Sequence, residues 1–203
     1  GDGGDRVGVA PFLRLLPREA VGVLRRARSG VPGGRVHRLL PPPPPPHRRD
    51  EPGGNGNLEQ TYSSAAFRSV RGTIGVASGK LYWEGAFTAG GTANASGIGF
   101  ALSTASLTSF AGQAGSWGYL QGGVTRANGG GSVSYGASYT TGDVIGIALD
   151  LDAGTCTFYK NGVSQGQAFS GLSGTFFPFS DSYDNSKWIL NFGQRPFTYT
   201  PPT

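Results

Sequence analysis

The chain has 203 residues and a net charge of +5, with 37% hydrophobic but only 14% charged residues, one cysteine and no methionine. Charged residues usually make up about 25% of a globular protein. One cysteine excludes an intramolecular disulfide and a cysteine-built metal cluster, and no apolar run approaches the ~18 residues that a membrane-spanning helix needs.

Charge and aromatic content divide the chain near residue 57. Residues 1–57 hold ten arginines and five acids, whereas the seven bases and seven acids of residues 58–203 cancel. Ten of the fourteen prolines lie in the first segment, and eleven of the twelve phenylalanines lie in the second with every tryptophan and tyrosine. We therefore expect a disordered Arg/Pro/Gly-rich leader at 1–57 and one folded domain at 58–203.

Two further interpretations of the leader stay open. Pro41–Pro46 predicts polyproline II, and Pro41–Arg48 has the composition of a ligand for an SH3-like partner. The arginines have no interleaved aromatic residues, so no specific nucleic-acid partner is expected. A lysine-free segment with clustered proline also fits a GC-rich gene translated in a shifted frame, in which case the leader is not native.

Residues 58–203 predict an all-β domain. Short segments rich in β-branched and aromatic residues are separated by Gly, Asn, Asp and Ser about every ten residues, the spacing of a sandwich or barrel. The predicted strands, in chain order, are 81–87, 97–102, 116–120, 144–150, 155–160, 163–168, 176–179 and 187–192.

The middle of the domain predicts a three-stranded meander. Asn161-Gly162 is a strong signal for a tight hairpin turn. Strand alternation places Cys156 with Phe158 on one face, which predicts a buried thiol. Asp150 and Asp152 flank the other turn, where we expect them to accept backbone N–H groups rather than act as a glycosidase pair.

The order of these pieces resembles the SPRY domain, the core of B30.2 modules. The matching motifs are 79–84 (GKLYWE), 97–100 (GIGF), 116–119 (SWGY), 142–152, 154–162, 177–179 (FPF) and 190–193 (LNFG). The resemblance implies an antiparallel two-sheet β-sandwich of the concanavalin A-like kind, with a core that includes Trp83, Phe100, Trp117, Phe158 and Phe192. Residues 58–70 match the family's first strands poorly.

The end of the chain is similar to the SPRY modules of tailed-phage tail and structural proteins. The similarity lies in 191–197 (NFGQRPF) and in the Gly/Ser/Thr-rich loops of low charge. It implies a module that continues beyond Thr203.

Catalytic chemistry finds little support in the domain. Residues 58–203 contain no histidine, which excludes Ser-His-Asp, Cys-His and histidine-built zinc sites there. The spacing after Asp150 departs from a calcium loop, and no P-loop is present. We therefore expect no enzymatic activity, no cofactor, no metal and no membrane insertion.

The predicted binding site is a surface of loops on a rigid sandwich. The longest predicted connections are 103–116, 121–132 and 180–186. Their side chains suited to a ligand are Phe110, Arg126, Asp181, Tyr183, Asp184 and Asn185. Aromatic rings beside carboxylates and an amide suit a sugar face and a peptide equally well. The alternatives are that Phe110 folds back into the core and that Arg126 only adds solubility.

Three functional hypotheses follow. The first is a non-enzymatic recognition module on a phage or other virus particle, outside the cell, that binds a host-surface glycan or protein. The second is an intracellular, cytoplasmic SPRY adaptor that binds a peptide partner, with the leader as a second docking segment. The third is a structural tail or fibre component that binds only its own assembly as an oligomer.

Overall fold

A computed structural model of the chain describes the backbone of residues 13–14 and 25–26, and residues 58–61, 66–90 and 95–203 in full. Every regular element in these ranges is a strand, which confirms the all-β prediction. The strands are β1 (Leu13–Arg14), β2 (Arg25–Arg26), β3 (Glu59–Thr61), β4 (Arg68–Arg71), β5 (Lys80–Ala89), β6 (Gly97–Ala101), β7 (Ser116–Leu120), β8 (Val124–Ala127), β9 (Val133–Ser134), β10 (Val144–Asp150), β11 (Thr155–Lys160), β12 (Val163–Phe169), β13 (Phe177–Ser182) and β14 (Lys187–Asn191).

The strands form two seven-stranded sheets. Sheet A has the order β12-β11-β10-β5-β14-β3, with β1 also paired to β5. Sheet B has the order β2-β4-β13-β6-β7-β8-β9. Every pairing is antiparallel except that of β1 with β5. The predicted antiparallel two-sheet sandwich is therefore confirmed.

The hydrophobic core lies between the two sheets, because alternate residues of each strand point to the same face. The ring of Tyr119 in sheet B lies 5.4 Å from that of Phe158 in sheet A, and Phe100 in sheet B lies 5.9 Å from Phe169 in sheet A. The predicted core residues Trp83, Phe100, Phe158 and Phe192 are at most 3% exposed. Trp117 is partly exposed and packs against the edge of this core.

The predicted meander is present as β10, β11 and β12. Asn161 and Gly162 both have positive φ, 50° and 78°, as expected for a type I′ hairpin turn. Asp150 accepts hydrogen bonds from the backbone N–H groups of Asp152 and Ala153 at 3.1 and 2.9 Å. Cys156 is fully buried. The turn and burial predictions for this unit are confirmed.

Two of the predicted loops are wrong in part. Strand β8 lies inside the predicted connection 121–132, and β13 extends through Ser182 into the predicted connection 180–186. Backbone pairing explains both differences, since Arg126 pairs with Gly118 of β7 and Asp181 pairs with Ser69 of β4. These pairings need no apolar side chain and so leave little signal in the sequence.

The N-terminal 57 residues contribute the two short strands β1 and β2, which pair with β5 and β4. The remainder of this segment lies outside the described residues. The predictions of a disordered leader, of a proline-rich ligand at Pro41–Arg48 and of a shifted frame fall there.

Candidate functional site

The β6–β7 loop, residues 102–115, folds across the outer face of sheet B. Ser180 of β13 donates a hydrogen bond to Gln60 of sheet A at 2.5 Å, so Ser180 points inward and its neighbour Phe179 points outward. Ala105 and Ala111 of the loop pack on Phe179. The loop is thus fixed against the sheet by its own small apolar cluster.

A group of partly exposed side chains gathers where this loop meets β4, β8 and the end of β13. The ring of Phe67 lies 5.1 Å from that of Phe110 and 4.7 Å from that of Tyr183, centroid to centroid. The guanidinium carbon of Arg126 lies 4.6 Å from the centroid of Phe110, within the range of a cation–π contact. We call Phe67, Phe110, Arg126 and Tyr183 the aromatic–arginine patch.

The position of Arg126 is set by strand β8 and by Gly112. Arg126 donates from Nε to Ser132 Oγ at 2.7 Å. Gly112 has a φ of 96°, and a Cβ atom there would overlap Arg126 Cβ and lie 3.0 Å from its carbonyl carbon. Only glycine therefore allows the β6–β7 loop to approach β8 closely enough for Arg126 to reach Phe110.

We expect Gly112→Ala to destabilise the chain by about 2–4 kcal/mol, because strain from the positive φ adds to a collision with β8. Gly142→Ala is the matched control, since Gly142 has a φ of 99° but open space around its Cβ position. The control should cost only ~1–2 kcal/mol. Urea unfolding of both variants measures the difference, and equal losses would contradict the close packing of Gly112 on Arg126.

Asp184 and Asn185 occupy the centre of the turn that follows β13. Their φ values are 47° and 64°, and Ser186 donates its N–H to the carbonyl of Tyr183 at 3.1 Å, which defines a type I′ turn. Tyr183 in turn donates its N–H to Ser186 Oγ at 2.9 Å. The two predicted site residues therefore lie at the rim of the patch and hold Tyr183 in place.

Asp181 is not a loop residue, which corrects the sequence-based prediction. It lies in β13 and is fully buried. Its Oδ1 accepts the N–H of Gly97 at 3.0 Å, and its Oδ2 accepts the N–H of Ala111 at 2.6 Å. Burial raises the pKa of this carboxyl to about 8, against the lowering effect of the two hydrogen bonds. The carboxylate is enclosed by the protein and cannot contact a ligand at the surface.

The structure thus brings Phe110, Arg126 and Tyr183 together, with Asp184 and Asn185 beside them. Phe67 joins them, although little in the sequence distinguishes it. Its only signal is that it is an aromatic residue within the segment 58–70, which matches the family's first strands poorly. Phe110 neither enters the main core nor stands alone, because it lies between Phe67 and Arg126.

Within the described ranges, no three His, Cys, Asp or Glu side chains are grouped so as to hold a metal ion. The same part of the chain has no helix with the length and apolar character needed to cross a membrane.

Comparison with known proteins identifies relatives of the domain. The family model of the SPRY domain matches residues 80–195. Ran-binding protein 9 of Xenopus tropicalis is 34% identical over 155 residues, which cover 71% of this chain and 28% of that protein. E3 ubiquitin-protein ligase RKP of Arabidopsis thaliana is 40% identical over 70 residues, 32% of this chain and 6% of that protein. The chain therefore spans little more than a quarter of Ran-binding protein 9.

Solved structures agree on the architecture. The SPRY domain of human HERC1 superposes with a TM-score of 0.58 at 21% identity, covering 68% of this chain and 90% of that one. A second human SPRY domain gives a TM-score of 0.57 at 16% identity, covering 68% and 94%. At these identities the likeness concerns the fold alone.

Proposed function

Because this chain belongs to the SPRY domain family, we propose that it is a non-enzymatic recognition module that binds a segment of a partner protein at the aromatic–arginine patch. SPRY domains generally serve as protein-interaction modules. The observation that carries the proposal is the gathering of three aromatic rings and one guanidinium from four separate parts of the chain. Tyrosine and arginine are enriched among the residues that dominate binding energy at protein interfaces.

The chemistry of the patch favours a protein partner over a glycan. Stacking on a sugar needs an open ring face. Arg126 covers one face of Phe110. The rings of Phe67 and Tyr183 pack against each other at an interplanar angle of 41°, so part of each ring is already in contact with protein. Asp181 cannot accept hydrogen bonds from sugar hydroxyls because it is buried and already bonded to two amides. Of the predicted polar glycan contacts, only Asp184 and Asn185 remain at the surface.

The relatives reported above favour the adaptor hypothesis over a phage or viral particle. Ran-binding protein 9 and the ligase RKP come from a frog and a plant. The matched residues cover only 28% of Ran-binding protein 9. Binding to Ran, which the name of that protein describes, is therefore one possibility to be tested for this domain. The SH3-like ligand at Pro41–Arg48 and a role as an oligomeric tail or fibre component remain separate proposals.

The test is a parallel screen of the full 203-residue chain against a displayed random-peptide library and a glycan array. We expect selected peptides to bind the wild-type chain and to lose at least about tenfold in affinity with Arg126→Ala or Phe110→Ala, the effect of truncating a central interface residue. Fluorescence anisotropy with labelled synthetic peptides measures the loss.

Two surface variants serve as matched controls. Arg195→Ala removes an exposed arginine on the C-terminal segment, and Val163→Ala trims a side chain that is 66% exposed on β12. Both should bind like the wild type. Peptides that bind the Arg126 and Phe110 variants unchanged would remove the patch as the site, and selective glycan binding that the same variants abolish would replace the protein partner with a sugar.

A further inference from the structure

Asp181 joins three segments of chain behind the aromatic–arginine patch. Its carboxylate accepts one N–H from Gly97 at the start of β6 and one from Ala111 in the β6–β7 loop, 84 and 70 residues away along the sequence. Its own strand continues directly to Tyr183 in the patch. A single buried side chain therefore contacts the backbone next to Phe110 and lies two residues before Tyr183.

The bond to Ala111 fixes Phe110, the preceding residue. The Cβ of Ala111 fills space left by two glycines, since Cβ atoms placed on Gly118 and Gly97 would lie 2.5 and 3.1 Å from it. Ala111 is thus held at its N–H by Asp181 and at its side chain by β6 and β7. The peptide group that joins Phe110 to Ala111 is therefore held in place.

We propose that the ionised Asp181 carboxylate is a positioning residue that holds the β6–β7 loop in the binding-competent arrangement of the patch. This inference rests on the proposed function, in that the patch is the binding surface. Asp181 acts through Phe110 and does not itself touch a ligand.

The protonation state of Asp181 should therefore control the patch. A carboxylate can accept both N–H groups at full strength, whereas a protonated carboxyl carries a hydroxyl that is a weaker acceptor and needs an acceptor of its own. Burial places the pKa near 8, so the change falls close to neutral pH.

The described groups that hydrogen-bond to Asp181 or pair with it do not titrate. They are the amides of Gly97 and Ala111, the strand partner Ser69, and the indole of Trp188, whose Nε1 donates 3.0 Å to the Asp181 carbonyl. Among the described residues, the buried phenol of Tyr139 interacts electrostatically with Asp181, and burial together with the charge of Asp181 raises the pKa of that phenol well above its usual value. Tyr139 therefore stays neutral while Asp181 ionises.

The primary test needs no ligand and follows a pH titration of the full chain by NMR between pH 5.5 and 9.5. We expect the Gly97 and Ala111 amide signals to shift with a common midpoint near pH 8. The Arg126 Nε–H and the Phe110 ring signals should shift with the same midpoint, because the guanidinium lies over that ring. The Gly162 amide, in the distant β11–β12 turn, is the internal reference and should not follow.

Asp181→Asn removes the titrating group with little change in shape and should abolish all four shifts. Asp152→Asn is the matched control, because Asp152 also accepts a backbone N–H, that of Gly79 at 2.7 Å, but it follows β10 of sheet A, whereas Asp181 lies in sheet B. If Gly97 and Ala111 titrate while Phe110 and Arg126 do not, Asp181 is merely structural and the proposal is overturned. The absence of any titration above pH 5.5 would overturn it as well.

The binding test uses a peptide selected in the display screen. The apparent dissociation constant should fall by about tenfold between pH 7 and pH 9, as the ionised and competent fraction rises from roughly a tenth to nine tenths. Asp181→Asn should bind weakly with no such dependence. If the screen yields no peptide the proposed function fails, while the NMR titration still decides the role of Asp181.

Discussion

Replacing Gly99 by alanine is expected to remove most of the stability of the domain, at least ~4 kcal/mol. Gly99 lies in the middle of β6, between β13 and β7 in sheet B. A Cβ atom there would overlap the carbonyl oxygen of Trp117 and lie 2.8 Å from the Cα of Gly118. Because both contacts are with the backbone of a paired strand, no side-chain rotation relieves them.

Urea unfolding followed by tryptophan fluorescence measures this loss. Gly131→Ala is the matched control, since Gly131 has open space around its Cβ position and no positive φ. The control should change stability by no more than ~0.5 kcal/mol. A Gly99 variant as stable as the control would mean that the pairing of β6 with β7 differs from the one described.

Glu84→Gln is expected to cost about 2–4 kcal/mol and to release the C-terminal segment from sheet A. Glu84 lies in the middle of β5 and is 2% exposed. Its Oε2 accepts the N–H of Thr198 at 2.8 Å, and its Oε1 accepts the N–H of Tyr199 at 2.9 Å. A glutamine offers one acceptor oxygen and turns an NH₂ group toward the other N–H, which leaves that N–H unpaired.

Hydrogen exchange separates this effect from a general loss of stability. The amides of Thr198 and Tyr199 should exchange at least about tenfold faster in the variant than its global unfolding explains. Glu59→Gln is the control, because Glu59 also binds a partner, Lys187 at 2.7 Å, but its side chain is 43% exposed. A surface ion pair contributes at most about 1 kcal/mol. Equal losses in the two variants would show that the C-terminal segment is not anchored through Glu84.

Where the signal is local, the sequence predicts the fold well. Strands β10 and β11 have the predicted bounds, because apolar alternation and an Asn-Gly turn lie within one short stretch. The sequence does not predict β8 and β9, which pair locally with β7 and β8 but are short and lack apolar alternation. It does not predict β3 and β4 either, since each is short and pairs with a strand far away in the chain. Nothing in a local pattern specifies such a partner.

The distinction between local sequence signals and contacts with distant residues applies to the patch as well. Phe110, Arg126 and Tyr183 stand out in the sequence because each interrupts a polar segment, and the structure brings them together. The position of Phe67 is not predictable, since Phe67 directly precedes β4, a strand held by β2 and by β13, which lies more than a hundred residues later. The polar run around Asp181 predicts a loop, because such runs normally mark exposed chain. In the structure Ser180, Asp181 and Ser182 are buried, and the Asp181 carboxylate accepts backbone N–H groups from two other segments.

The placement of β13 and β14 has a consequence for how the protein is made. The two strands lie next to each other in the sequence, yet β13 sits between β4 and β6 in sheet B, and β14 sits between β5 and β3 in sheet A. During synthesis sheet B lacks an interior strand until residue 182 has emerged, and sheet A lacks one until residue 191 has emerged. Until then the strands that flank each gap have unpaired edges. Such edges favour pairing with other chains. Both sheets are therefore completed by two consecutive strands, and a chaperone that shields these edges would protect the nascent protein at the ribosome.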